Sequence, residues 1–231
     1  MTLLTILQNV CAELSLDEPS SVVANSDGTV KQLLRLAQRE GDELARCYDW
    51  STLIIQREFT SISSEIQSEP PADFERFYEN SRIWNASRRW VLNGPVDAQT
   101  WQRQKIYNAN PVPQIWRMIG DKLAVYMPTD GETIRYEYIS RNWVSVSGGT
   151  TYAATWANDD DVSRIAERIL ELGVIWRWKR AKGFDYSQEF QTYQDQRSSE
   201  IGSDRARMPF SLSVPMRGEV PDNFWPGVIV P

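Results

Sequence analysis

Several stretches of this chain carry side chains in patterns that chemistry can use, and none of them holds an imidazole. Histidine is absent from all 231 residues. That removes Ser-His-Asp and Cys-His nucleophilic sites, His-ligated zinc or iron, and any imidazole general base. Asp159-Asp160-Asp161 offers three carboxylates of the kind a hard cation such as Mg²⁺ takes. Adjacent residues on a helix point in different directions, so the better reading is a helix N-terminus, where negative charge is favoured. Arg177-Trp178-Lys179-Arg180-Ala181-Lys182 is the densest basic run and has the charge to meet phosphates. It ends just before Gly183, so it reads as cations at a helix C-terminus, paired with a neighbour's carboxylates.

Trp84-Asn85-Ala86-Ser87-Arg88-Arg89-Trp90 interleaves aromatics with arginines. Single-strand nucleic-acid binders do this, and so do protein interfaces. In an acidic chain an interface or core corner is favoured, and Arg88, Arg89 and Trp90 are its candidate contact residues. Cys11 and Cys47 lie on or beside apolar helix stripes and read as buried structural thiols with no histidine to activate them. Two cysteines without histidine cannot build a structural zinc site within one chain. There is no P-loop, no G-x-G-x-x-G and no G-x-S-x-G elbow. Catalysis by carboxylates alone stays open, but no pair of acids stands out for it. The reading assigns no catalytic residue, no metal and no cofactor.

The charge balance narrows the partners. Lys and Arg number 25 against 31 Asp and Glu, a net charge of −6. Duplex-binding domains normally carry a basic excess to neutralise phosphates, so tight nucleic-acid binding is disfavoured. Ten tryptophans spread over the whole sequence; one cluster would suggest a ligand cage, whereas a dispersed set reads as core and interface anchors. The start, Met1-Thr2-Leu3-Leu4, lacks the basic region of a signal peptide. The apolar runs fall far short of the ~20 residues of a membrane span. The expectation is a protein made in the cytoplasm, with no membrane partner.

These residues must be held by three kinds of chain. Residues 1–50 read as two amphipathic helices. Leu3, Leu7, Val10 and Leu14 form the first stripe. Val30, Leu33, Leu34, Ala37, Gly41, Leu44, Ala45 and Tyr48 form the second, behind cap candidates at Ser26-Asp27-Gly28-Thr29, with Glu40 on the opposite, polar face. Residues 51–155 switch to short β-like runs around Ile54-Ile55, Phe74, Trp84 and Trp90, with a short helix capped by Asp97. A hairpin is signalled at Gly120-Asp121, and Thr133–Ile139 alternates. Ser145–Ala154 reads as a surface or hinge loop. From Asp159 the pattern is helical again to residue 207, with Gly183 as a break and Asp185 as the next cap. Residues 208–231 hold five prolines among Phe210, Leu212, Val214, Phe224 and Trp225. They are too proline-rich for a helix or central strand and too apolar for a solvated linker. An extended arm docked on another surface fits, and those five residues are its candidate contacts.

Read in order, several marks resemble a known family: Arg46-Cys47-Tyr48-Asp49-Trp50, then Tyr136-Glu137-Tyr138-Ile139-Ser140-Arg141-Asn142-Trp143, then the segment from Gly173 through Trp176-Arg177-Trp178 to Gly183. Over about residues 3–195 the order and content are similar to the head-to-tail adaptor (connector) proteins of tailed bacteriophages, especially short-tailed ones. The resemblance implies a structural virion protein of the head–tail junction rather than an enzyme. It implies a homo-oligomeric ring of twelve copies below the portal protein, contacts with tail or nozzle proteins, and viral DNA passing through the lumen without sequence-specific binding. The expected fold is α+β. Residues 1–50 and 156–207 would form a helical bundle around a β-rich insert, 51–155, built as a small antiparallel sheet or barrel, with 208–231 as an extended C-terminal arm. The rivals are another tail component, such as a tail-tube or stopper subunit; a carboxylate-dependent hydrolase; and a nucleic-acid-binding module.

Overall fold

A computed structural model of the chain describes residues 1–67, 69–78, 81–107 and 114–207. It is a mixed helix-and-sheet protein. In chain order come α1 (Leu3–Glu13), α2 (Gly28–Cys47), β1 (Ile54–Thr60), β2 (Phe74–Phe77), β3 (Trp84–Asn85), β4 (Trp90–Val91), α3 (Ala98–Tyr107), β5 (Trp116–Ile119), β6 (Lys122–Val125), β7 (Thr133–Ser140), β8 (Val144–Ser145), β9 (Tyr152–Ala153), β10 (Val162–Ser163), α4 (Glu167–Lys182) and α5 (Ser187–Arg207). Among the described residues the chain divides into two compact units, one of 1–55, 73–78 and 139–207 and the other of 56–72 and 81–138. None of the described helices is long and apolar enough to cross a membrane.

The first unit is organised on α4. Helices α1, α2 and α5 all pack against it, and every residue from Ile169 to Trp178 is buried. A helix buried on every side over ten residues lies at the centre of a core. The helix ends follow local rules. Asp27 caps α2 by accepting from the amides of Thr29 (2.6 Å) and Val30 (3.1 Å). Gly183 ends α4 in the left-handed conformation, φ 79°, and the amide of Phe184 donates back to the Lys179 carbonyl at 3.0 Å. Asp185 accepts from the amide and hydroxyl of Ser187 at the start of α5.

Two glycines set how closely the elements of this unit approach. A Cβ on Gly41 would lie 2.0 Å from Cη2 of Trp143, whose own Nε1 donates to Asp42 at 3.1 Å. A Cβ on Gly173 would lie 2.3 Å from Cδ of Glu40. The space at Gly173 lets Glu40 reach Arg177, whose Nε donates to Glu40 at 2.5 Å and whose Nη2 donates to Glu43 at 2.7 Å. The Glu40 side chain is fully buried and that of Arg177 is only 8% exposed. Burial pushes the Glu40 carboxyl upward and the Arg177 guanidinium opposes it. The basic run thus begins with an arginine committed to α2 and continues with Lys179 paired to Glu189.

Three expectations are corrected. Asp159-Asp160-Asp161 opens no helix: α4 starts at Glu167, with Ala166 as an N-cap that supplies no side-chain bond, and Val162–Ser163 is strand β10. The reason lies in competing amide donors. Asp161, fully buried, accepts from the amides of Ser147 (3.0 Å), Ala157 (2.7 Å) and Asn158 (2.8 Å). Asp159 accepts from those of Val22 and Val23. Their carbonyls serve a different helix: Asp161 accepts from Leu3 N (2.8 Å) and Asp159 from Leu4 N (3.1 Å), satisfying the open first turn of α1. Second, the 145–154 segment, read as a surface or hinge loop, has strand at both ends around an exposed 147–151 turn. β8 pairs with β9 on one side and β10 on the other, all antiparallel. Third, Cys11 is buried but Cys47 is exposed, because the last buried turn of α2 ends at Ala45. Both are free thiols.

In the second unit, β7 lies between β1 and β3 in the strand order β1-β7-β3-β4. Ile134, Tyr136 and Tyr138 of β7 are buried, while Arg135 and Glu137 face solvent; period-two alternation requires this of a half-buried strand. The β5–β6 hairpin closes at Gly120-Asp121 with Ile119 opposite Lys122. Helix α3 is capped by Asp97 through the amides of Gln99 and Thr100. It buries Trp101 with Ile115, Ala124 and Tyr126 as a small separate core. Across both units Trp50, Trp101, Trp116, Trp143, Trp156, Trp176 and Trp178 are buried, so most of the dispersed tryptophans are core anchors.

Candidate partner-contact surface

The Trp84–Trp90 run folds into the β3–β4 hairpin, with Trp84 opposite Val91 and Asn85 opposite Trp90. The turn is locked from below. Asn85 is fully buried; its Oδ1 accepts from the Arg88 amide at 3.0 Å and its Nδ2 donates to Glu132 at 2.6 Å. Arg88 donates through Nε to the same carboxylate and through Nη2 to Thr129 at 2.7 Å. Its guanidinium lies 5.1 Å from the centre of the Trp90 ring, within cation–π range. Ser61 completes the knot by donating to the Thr129 carbonyl and accepting from the Glu132 amide. Arg88 and Trp90 are therefore occupied inside this unit. Arg89, in the left-handed region at φ 61°, turns the other way and makes no hydrogen bond or ion pair among the described residues.

Arg89 lines an open groove of about 590 Å³ on the solvent face of the sheet. Arg82, Trp84, Arg135 and Glu137 line it too. Trp84 and Arg135 are direct cross-strand partners of β3 and β7, so their side chains share a face. Trp84 is 48% exposed, unlike the seven buried tryptophans. Arg135 pairs with Glu58 across the neighbouring strand. The surface thus combines one large exposed indole with three arginines, set against Glu58 and Glu137. Its chemistry is recognition: ring stacking and charge-assisted hydrogen bonds to carboxylates. Glu137 is the one acid lining the groove itself among the described residues.

Sequence reasoning named the Trp84–Trp90 run as an interface or core corner but missed Arg82 and Arg135. The alternation of β7 already put Arg135 on the polar face; what was not visible was that β3 is its neighbour. The other candidate contacts, Phe210, Leu212, Val214, Phe224 and Trp225, lie outside the described residues.

The chain belongs to the SU10 adaptor protein family, whose model matches residues 1–217. That family comprises structural adaptors of bacteriophages, a virion component and not an enzyme class. No curated protein matches the chain.

Proposed function

We propose that the chain is the subunit of a ring at the head–tail junction, seated below the portal and joining it to the tail. The observation that carries this reading is the family match over residues 1–217. Twelve copies would match the portal, and the ring would form part of the conduit for viral DNA. The terminal helical segments, 1–50 and 156–207, act as a bundle and the 51–155 insert as a second contact domain. The arm, 208–231, ties each subunit to a neighbour or to the portal through Phe210, Leu212, Val214, Phe224 and Trp225. On the insert, Arg88, Arg89 and Trp90 contribute to partner contact, Arg88 and Trp90 by holding the turn that presents Arg89. The acidic balance of the chain favours a conduit wall to which DNA adheres weakly. Synthesis takes place in the cytoplasm of the bacterial host.

Deleting 208–231 tests the role of the arm. Sedimentation of the full and truncated chains should show a ring for the first and a folded smaller species for the second. Normal rings from the truncated chain would overturn it.

A further inference from the structure

The groove on the second unit has a specific counterpart in the chain itself. Trp84, 48% exposed, is the large aromatic side chain on this face, and exposed aromatics of this kind serve as interface anchors. Beside it stand Arg82, Arg135 and Arg89. Among the 24 residues after 207, one stretch matches that chemistry residue type by residue type: Glu219-Val220-Pro221-Asp222-Asn223-Phe224-Trp225-Pro226. It supplies two acids for the arginines, and two prolines and two aromatics for the indole face. Proline-rich segments dock on aromatic-lined grooves because they lose little conformational entropy in doing so. Eight extended residues span about 25 Å and four strands about 14 Å from first to last, so the stretch is long enough to cross the sheet.

A nucleic acid is the weaker match. A polyanion needs an uncompensated basic track, whereas Glu137 lines this groove and Glu58 occupies Arg135. Two spaced acids in an apolar, proline-bearing stretch suit a patch where Arg89 makes no hydrogen bond or ion pair among the described residues.

We infer that the groove around Trp84 and Arg89 is the receptor for the 219–226 stretch of this chain. The inference rests on the proposed docking role of the arm and names where it docks. The test uses the full-length chain with Trp84→p-benzoylphenylalanine, an exposed position where an aromatic is kept. After irradiation and digestion, mass spectrometry should find the main cross-linked peptide within 219–226. Glu219→Arg with Asp222→Arg should cut that cross-link at least tenfold, and adding Arg89→Glu should restore part of it. The mass of the undigested product tells whether the stretch comes from the same chain or a neighbour; both support the receptor. Cross-links to any other segment, to nucleic acid, or to nothing overturn it. The outcome separates from the deletion experiment: lost rings with cross-links elsewhere remove only the groove, while intact rings with cross-links in the groove remove only the arm's part in assembly.

Discussion

Gly41→Ala should destabilise the protein even though it improves helix propensity. Alanine in the middle of α2 gains roughly 0.5–1 kcal/mol over glycine. Against that, the new methyl would lie 2.0 Å from Cη2, 2.2 Å from Cζ2 and 2.4 Å from Cζ3 of Trp143. Carbon atoms sit comfortably at about 3.5–4.0 Å, so the indole must retreat by about 1.5 Å. It has little room: Trp143 is 1% exposed and stands edge-on to Trp156 at 5.0 Å. Its Nε1 is also held by Asp42. Overpacking of this kind costs about 1–3 kcal/mol; with the ring confined on two sides the upper end applies. The net loss is about 2 kcal/mol, or roughly 4–8 °C in Tm for a chain of this size. Gly202→Ala is the control, since Gly202 is an exposed position in α5 with nothing within 4 Å of its Cβ direction; it should stabilise by up to about 1 kcal/mol. In a Trp143→Phe background the Gly41→Ala penalty should shrink toward the Gly202 value. Urea unfolding followed by tryptophan fluorescence and circular dichroism reads all of these. Equal shifts of the same sign at Gly41 and Gly202 would refute the close-packing argument.

Arg177→Met should cost about 3–5 kcal/mol, because it leaves a buried carboxylate without its cation. Glu40→Leu combined with Arg177→Met should recover most of that in the same unfolding assay, and a double variant no better than the single would contradict the pair's assignment. Burial pushes the carboxyl of Asp161 up, but the amides of Ala157, Asn158 and Ser147 outweigh it and hold it below the ordinary carboxylate range. Its stabilisation is therefore present above the unfolded-state value of about 3.9 and is lost as pH falls toward the lower folded-state value. Asp161→Asn should lower stability at pH 7 and flatten its decline on acidification below pH 4, measured by thermal melts; an unchanged pH profile would contradict this. Arg88→Ala should loosen the β3–β4 turn, seen as faster amide exchange at Arg88 and Thr133, while Arg89→Ala should leave exchange there unchanged.

What the sequence exposes here is what is local. The stripes of α1 and α2, the Asp27 and Asp97 caps, the Gly183 terminator, the Gly120-Asp121 hairpin and the alternation of β7 all follow from neighbours within a few residues. What it hides depends on partners brought from afar. Glu40 reads as a solvent-facing acid, yet it is buried because Gly173 leaves room and Arg177, 137 residues away, supplies the charge. The Asp159–Asp161 run reads as a helix start by composition alone. Its real donors are loop amides with no periodicity to announce them, and some lie in the segment after α1. The groove was half visible: the Trp84–Trp90 interleaving flagged a contact run, whereas Arg135 joins it only through a strand pairing that no local pattern specifies.

The central claim is that this adaptor works as a ring between the portal and the tail. Electron cryomicroscopy of the intact virion tests it most directly. The account predicts a twelve-fold ring of this chain immediately below the portal, with each subunit touching its neighbours. Density for the chain elsewhere in the particle, or as an isolated copy without rotational symmetry, would contradict it.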